Sequence, residues 1–193
     1  MEKSFYAYLS RLKHIYRWSL MRSNMKENVA EHSFDAAVIA HALCLIKNNY
    51  FDGSADAGEV VLTALYHETA EAITGDLPTP VKYYDDQITK AYKRIEEQAE
   101  QKMLEMLPKE LRSDLKPYVE GETDAEVKAL VKAADKICAY IKCLEEKKSG
   151  NSEFDKAAVK ILAGLKALQM PEVDYFLENF LAGYTLTLDE LNE

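Results

Sequence analysis

Residues that break regular structure are scarce in this sequence. Its 193 residues include only 7 Gly and 5 Pro, whereas 48% of them are hydrophobic. This composition excludes collagen-like, low-complexity and largely disordered chains, which are rich in Gly and Pro or poor in apolar residues. A chain of this size buries roughly 70% of its unfolded surface. We therefore expect a single domain over residues 1–193 with one sizeable core.

Cysteine and long apolar runs are scarce as well. The cysteines Cys44, Cys138 and Cys143 are odd in number and form no C-x-x-C pair, which indicates buried thiols in a reducing compartment. The longest uncharged apolar run, residues 36–46, is far shorter than the ~20 residues of a membrane-spanning helix. Basic residues interrupt the first twenty positions, so no signal peptide is predicted. We expect a cytoplasmic protein with no membrane partner.

Positive charge is in deficit. The sequence has 24 Lys and Arg against 33 Asp and Glu, a formal net charge of −9. This balance argues against binding a long nucleic acid polymer, because phosphate neutralisation supplies most of that affinity. Residues 1–26 nevertheless carry six Lys and Arg against one acid, Glu2. Such a region suits one small anionic ligand, and an ordinary solvated helix face is the alternative.

Hydrophobic residues recur at helical spacing along almost the whole chain, and no segment alternates as a strand does. The sequence predicts an all-α, single-domain helical bundle. Residues 75–80 are predicted to form a loop, because Pro78 and Pro80 disfavour helical backbone in the residues before them. The predicted helices span, approximately, residues 5–15, 27 or 28–49, 56–74, 85–107, 109–119, 124–148, 152–168 and 171–182.

Titratable residues interrupt the apolar stripes of three predicted helices. His32 shares the inward face of the second helix, Glu68 takes a core position on the third, and Asp135 intrudes on the apolar face of a later helix. His67 lies beside Glu68, and Glu71 follows His67 by four residues and Glu68 by three, so all three are predicted to lie on one side of that helix. Because unpaired burial is costly, these side chains favour a shared ligand. For His32 alone, a hydrogen-bonded core histidine is the alternative.

Mixed imidazole and carboxylate groups suit a transition-metal cation. Such a cation lowers the pKa of coordinated water and polarises a phosphoryl oxygen, and Glu71 is placed to accept a proton. The zinc-protease H-E-x-x-H motif is absent, since Glu71 stands where its second His is required. Of the two other histidines, His14 is predicted to lie at the surface and His41 in the core.

The order His32, His67-Glu68 and Asp135, each predicted within a helix, resembles the HD-domain metal-dependent phosphohydrolases. Further segments are similar to the bacterial 5'-deoxynucleotidases of the YfbR type, over nearly the whole chain. These segments are residues 9–13, 17–18, 27–33, 74–83, 134–146 and 174–176.

The resemblance implies an HD-domain-like helical bundle that acts as a homodimer. It implies hydrolysis of deoxyribonucleoside 5'-monophosphates to deoxyribonucleoside and phosphate with one divalent cation (Co, Mn, Fe, Zn or Mg). Arg17 would hold the phosphate, and Trp18 would orient the nucleotide and disfavour a 2'-hydroxyl. The implied metal ligands are His32, His67, Glu68 and Asp135. The implied substrate-binding residues are Arg17, Trp18, His32, Glu68, Asp76, Leu77, Pro78, Thr79 and Asp135. The implied proton-transfer residues are Glu71 and Asp76.

One position departs from the family pattern. The family's His-Asp dyad is His67-Glu68 in this sequence, and glutamate keeps the charge but adds a methylene. Three alternatives therefore remain open. The first is an HD phosphohydrolase that acts on another nucleotide, such as a ribonucleotide or an alarmone. The second is a nucleotide-binding protein with weakened catalysis, and the third is a purely structural helical domain.

Overall fold

The structure is a computed structural model that describes residues 3–192; Met1, Glu2 and Glu193 lie outside the described residues. Across residues 3–192, the one β contact is an isolated bridge between Tyr16 and Asn28. The predicted all-α class is therefore confirmed. The described part of the chain forms ten α-helices, which are α1 (Phe5–Leu9), α2 (Val29–Tyr50), α3 (Ala57–Tyr66), α4 (Glu71–Thr74), α5 (Thr79–Lys82), α6 (Asp86–Glu105), α7 (Lys109–Val119), α8 (Ala125–Lys148), α9 (Asp155–Lys166) and α10 (Pro171–Asn179). Short 3-10 helices span Ser10–His14, Ser152–Phe154, Leu181–Thr185 and Glu190–Asn192.

Helix α2 is the central element, and it packs against α3, α8 and α10. It begins with a reciprocal capping box, in which Asn28 accepts from the Glu31 N–H and the Glu31 carboxylate accepts from the Asn28 N–H. By length and composition alone α2 could cross a membrane, but 56% of its most apolar stretch is buried inside the domain. It is therefore the core helix that carries His32 into the interior.

A turn interrupts the helix predicted over residues 56–74. Helix α3 ends at Tyr66, and residues 67–70 make i to i−3 hydrogen bonds before α4 begins at Glu71. The Thr69 hydroxyl donates to the Tyr66 carbonyl at 2.6 Å, and His67 Nδ1 lies 2.6 Å from the Ala64 carbonyl oxygen. These side chains engage the last turn of α3 and compete with its continuation. The expectation of one continuous helix was wrong.

Three further local expectations differ from the structure. The first helix becomes a 3-10 helix after Leu9. Thr79 is the first residue of the short helix α5, which accommodates Pro80 because the first turn needs no N–H from it. His41 is exposed on the outer face of α2, since that helix is apolar around most of its circumference and its period does not mark one buried face. His14 is exposed, as predicted.

Candidate active site

Four of the sequence-predicted residues meet at one point. One ligand atom each from His32, His67, Glu68 and Asp135 lies within 4.8 Å of all the others. His32 Nε2 is 3.7 Å from Glu68 Oε1 and 3.2 Å from Asp135 Oδ1. His67 Nε2 is 3.4 Å from the same Glu68 oxygen. Helix α2, the turn after α3, and helix α8 each contribute to this group.

The donor set fits a divalent cation. Within residues 3–192, Nε2 of His32 and Nε2 of His67 are buried without a hydrogen-bond partner. Because His67 Nδ1 contacts the Ala64 carbonyl, the lone pair of its Nε2 is free to face the group. Two ligand atoms that each lie about 2.1 Å from one cation are about 3.4 Å apart at a tetrahedral angle. The separations of 3.2–3.7 Å are close to that value.

Glu68 turns into the site despite its extra methylene. Its Oε1 faces both histidines and also lies 3.4 Å from the Arg17 guanidinium. Burial favours a higher pKa for this carboxyl, but the nearby His67, His32 and Arg17 outweigh burial and lower it. Asp135 behaves in the same way, since contact with His32 holds its pKa well below the usual range against the effect of burial. Both side chains are therefore ionised.

Arg17 lies at the edge of this group. Its Nε is 3.5 Å from Glu27, and its terminal nitrogens are 3.4 Å from Glu68 and 3.9 Å from Asp135. Burial lowers the pKa of the guanidinium, but these acids outweigh it, so the net shift is upward and the positive charge is retained. The fork of Arg17 can exchange these acidic partners for an anionic ligand.

Trp18 has an unusual backbone conformation that its side-chain contacts hold in place. Its φ is +60°, a left-handed value that is costly for a bulky residue. The indole Nε1 donates to Glu27 Oε2 at 2.7 Å, and the ring makes an edge contact with Phe154 at a centroid distance of 5.3 Å. The strained backbone presents Trp18 to a neighbouring cavity.

That cavity has a volume of about 140 Å³ and adjoins the histidine and carboxylate group through Arg17. Two segments of the chain line it, residues 17–21 and residues 76–80 without Leu77. The lining residues are Arg17, Trp18, Ser19, Leu20, Met21, Asp76, Pro78, Thr79 and Pro80. Leu77 is half-buried and does not line this cavity, unlike the residues on either side of it.

The two predicted proton-transfer residues are near the group and carry perturbed acidity. Glu71 is buried, and its Oε2 has no hydrogen-bond partner within residues 3–192. Burial, together with the negative charges of Glu68 and Asp76, raises the pKa of Glu71 to about 9. Burial also raises the pKa of Asp76, although Arg17 opposes it. Both groups can therefore hold a proton at higher pH than an exposed carboxyl.

Sequence reasoning did not select Glu27 as a site residue. It precedes α2 and has no position on a helical stripe, so no periodic signal could find it. Ser19, Leu20, Met21 and Pro80 were missed as well, although each lies within three residues of Trp18 or Thr79 in the sequence. For Ser19, Leu20 and Met21 the available signal was proximity in sequence to Arg17-Trp18, whereas Glu27 and Pro80 lie in the segments 27–33 and 74–83 that resemble the family.

Comparison with known proteins identifies the family. A sequence model described as "5'-deoxynucleotidase YfbR-like" matches residues 4–184. The chain belongs to the YfbR-like 5'-deoxynucleotidase family. A protein named 5'-deoxynucleotidase from Vibrio atlanticus (strain LGP32) is 48% identical over 192 residues, 99% of each chain. Another of that name from Yersinia pestis (strain Pestoides F) is 50% identical over 189 residues, 97% of this chain and 96% of the relative.

Solved structures support the fold of this YfbR-like chain. An HD-domain phosphohydrolase from Listeria innocua superposes with a TM-score of 0.82 at 22% identity, over 98% of this chain and 92% of the other. The HD phosphohydrolase of cyanophage S-2L, bound to dA and one catalytic Zn²⁺ ion, gives a TM-score of 0.67 at 20% identity, over 92% and 96%. The resemblance, the HD-domain-like fold and the enzyme class predicted from the sequence are confirmed.

Proposed function

We propose that this chain hydrolyses deoxyribonucleoside 5'-monophosphates to deoxyribonucleoside and phosphate with one divalent cation. The observation that carries the proposal is the convergence of His32, His67, Glu68 and Asp135 within 4.8 Å of one another. They lie beside a cavity that Arg17 and Trp18 line. The relatives named 5'-deoxynucleotidase support the same reaction, because they match the chain over almost its full length.

The four converging residues are the proposed cation ligands. A divalent cation held there supplies Lewis-acid polarisation of a phosphoryl oxygen and lowers the pKa of coordinated water. Arg17 binds the phosphate through its planar fork and neutralises part of its charge. Its nitrogens lie 3.4–3.9 Å from carboxylate oxygens of Glu27, Glu68 and Asp135, so the guanidinium borders the four proposed ligands.

Glu71 is the proposed general base, with Asp76 sharing proton transfer. The negative charges of Glu68 and Asp76 contribute to the raised pKa of Glu71. A cation bound to Glu68 would neutralise its negative charge and so remove one cause of the raised pKa of Glu71. The Glu71 carboxyl would then ionise more readily. Its free Oε2 can accept a proton from the attacking water and return it to the departing 5'-oxygen.

Trp18 and the segment Asp76–Thr79 are the proposed nucleotide contacts. Trp18, Pro78 and Thr79 form adjoining walls of the cavity. The rigid indole of Trp18, placed beside the sugar, leaves little room for a 2'-hydroxyl. Because the indole N–H already donates to Glu27, Trp18 also offers that hydroxyl no hydrogen-bond partner. Leu77 remains a predicted contact, although it does not line this cavity.

Phosphate release tests the reaction directly. Deoxynucleotides and ribonucleotides are each assayed with Co, Mn, Fe, Zn and Mg, for the wild type and for Asp135→Asn. The matched control is Asp114→Asn, because Asp114 is an exposed acid on α7. We expect turnover that favours deoxynucleotides, its loss in Asp135→Asn and its retention in the control. No release from any deoxynucleotide with any of these cations contradicts the proposal.

We further propose a cytoplasmic homodimer that acts on mononucleotides and binds no nucleic acid polymer. The net charge of −9 and the cavity of about 140 Å³ support a small substrate. Phe34, Val38 and Leu45 are 63%, 52% and 44% exposed on one face of α2, which supports a buried contact between two copies. Light scattering on Phe34→Ser tests the dimer against Val159→Ser, whose side chain is 71% exposed on α9. A monomeric wild type, or an unaltered dimer in Phe34→Ser, contradicts this assignment.

A further inference from the structure

Glu27 contacts the substrate-facing residues through its side chain. Trp18 Nε1 donates to Glu27 Oε2 at 2.7 Å, and Arg17 Nε lies 3.5 Å from the same oxygen. The backbone ties the segments together as well, because the Arg17 N–H donates to the Glu27 carbonyl at 3.0 Å. One largely buried carboxylate therefore fixes the position of both residues.

The second Glu27 oxygen faces a proposed cation ligand. Oε1 lies 3.8 Å from Nδ1 of His32, which is fully buried and has no hydrogen-bond partner within residues 3–192. At this distance the interaction is electrostatic and not a hydrogen bond. Negative charge on this side favours a proton on Nδ1, which leaves the Nε2 lone pair facing Glu68 and Asp135.

Glu27 also restrains the side chain of Trp18, whose backbone has a left-handed φ. The indole N–H is the polar handle of this side chain, and a charged acceptor gives the stronger class of hydrogen bond. The other anchor of the ring is its apolar edge contact with Phe154. Without Glu27 the φ of +60° loses its directional restraint, and the ring is free to leave the cavity wall.

We infer that Glu27 is a positioning residue that fixes the Trp18 wall on the nucleotide side and the His32 tautomer on the cation side. The expected effect of Glu27 on the preference for deoxynucleotides rests on the proposed function. Through its two contacts, this single residue affects both sugar discrimination and cation affinity. Glu27 itself does not line the cavity and does not belong to the group of four ligands.

Variants of Glu27 and its partners separate the two roles. Glu27→Gln removes the charge beside His32 but retains an acceptor for Trp18. Glu27→Ala removes both, and Trp18→Phe removes only the indole N–H. The matched control is Glu31→Gln, because Glu31 is an exposed carboxylate in the first turn of α2, close in sequence to Glu27, and takes part in the capping box of that helix. Its variant perturbs α2 without touching Arg17, Trp18 or His32.

Cation affinity is measured by competition with a chromogenic chelator, independently of turnover. We expect Glu27→Gln and Glu27→Ala to lose roughly 10- to 100-fold in affinity, as for other carboxylates that orient a metal-ligating histidine. Trp18→Phe and Glu31→Gln are expected to retain wild-type affinity. Wild-type affinity in both Glu27 variants overturns the cation-side role.

Sugar discrimination is the ratio of kcat/KM for a deoxynucleotide to that for the matching ribonucleotide. We expect Glu27→Ala and Trp18→Phe each to reduce it roughly tenfold, since each removes a charge-assisted hydrogen bond. Because both act through one contact, the double variant should lose no more than either single variant. A fully additive double variant, or an unchanged ratio in Glu27→Ala, overturns the Trp18-side role.

Trp18 is the sole tryptophan of the sequence, which gives a readout that needs no catalysis. Its emission maximum should shift in Glu27→Ala and stay at the wild-type value in Glu31→Gln. If no nucleotide is hydrolysed, the proposed function fails while emission and cation affinity still decide the role of Glu27. If Glu27→Ala does not fold, the near-isosteric Glu27→Gln decides it through cation affinity.

Discussion

His32 Nε2 lies 3.2 Å from Asp135 Oδ1, and the two side chains come from the central helix α2 and the later helix α8. Helical spacing places each side chain on the apolar face of its own helix, but it does not determine that the two side chains meet. Their proximity is produced by the packing of α8 on α2, which also brings the turn after α3 alongside. The candidate cation site is therefore formed by the packing of the helix bundle. We expect cation binding to depend on each of the four side chains that converge there.

Removing the Asp135 charge should abolish cation binding without unfolding the domain. Asp135→Asn keeps the shape of the side chain but weakens it as a ligand. We expect at least a 100-fold loss in cation affinity, because loss of a proposed ligand should cost more than the roughly 10- to 100-fold cost of losing a carboxylate that only orients a ligating histidine. Elemental analysis of purified protein gives the occupancy, and a thermal melt confirms the fold. Full occupancy in Asp135→Asn would show that the cation binds elsewhere.

Variants of Glu68 decide whether the longer side chain is a working ligand. Glu68 Oε1 already faces His32 and His67 at 3.7 and 3.4 Å. We therefore expect Glu68→Asp to change turnover by less than about tenfold, and Glu68→Gln to reduce it at least 100-fold through loss of the ligand charge. A gain of more than about tenfold in Glu68→Asp would support the alternative of a catalytically weakened site.

Glu146 should make folding stability depend on acidic pH. It is fully buried and accepts from Lys142 at 2.6 Å, from the Asn24 and Met25 N–H groups at 2.9 and 3.0 Å, and from Asn151 at 2.7 Å. Burial favours a higher pKa, but these donors outweigh it and hold the pKa of Glu146 well below its usual range. The carboxylate thereby attaches the loop before α2 to the end of α8.

A carboxyl whose folded-state pKa is lowered stabilises the protein above its unfolded-state pKa of about 4.3 and loses that contribution as the pH falls further. We expect Glu146→Gln to reduce the free energy of unfolding by about 3 kcal/mol at pH 7. Urea denaturation should show that the difference in the free energy of unfolding between the wild type and Glu146→Gln is constant from pH 6 to 8 and smaller below about pH 4. Glu178→Gln, at an exposed position of α10, should change stability by less than about 0.5 kcal/mol. An equal loss at pH 7 and at the acidic end would contradict the assignment.

Gly75 should be needed for the segment that carries Asp76. Its φ of +71° and ψ of +169° lie in a region that essentially only glycine adopts, and its N–H closes α4 by donating to the Glu71 carbonyl at 2.9 Å. Gly75→Ala meets no atom within 4 Å, so its cost is backbone strain of about 1–3 kcal/mol. We expect a lower melting temperature and lower kcat/KM. Gly183→Ala, which also has open space but no left-handed φ, should be neutral by both measures.

Much of the helical structure was predictable, because hydrophobic period and capping residues act locally. The starts of α2, α6 and α8 after Asn28, Asp85 and Asp124 follow from side chains that accept a hydrogen bond from the first helical turn. The break after Tyr66 was not predictable, because apolar residues continue at helical spacing while the side chains of His67 and Thr69 engage backbone carbonyls. Periodicity carries no information about such competition.

The sequence alone determined the helical class, the family, and the residue types that are able to hold a cation. Each is encoded by residue identity and short-range spacing. Only the tertiary structure decided that Glu68 Oε1 reaches both His32 and His67, that His41 faces outward, and that Glu27 contacts Trp18. These orientations depend on which face of each helix is covered by a distant segment, and that coverage is set by the packing of the whole bundle.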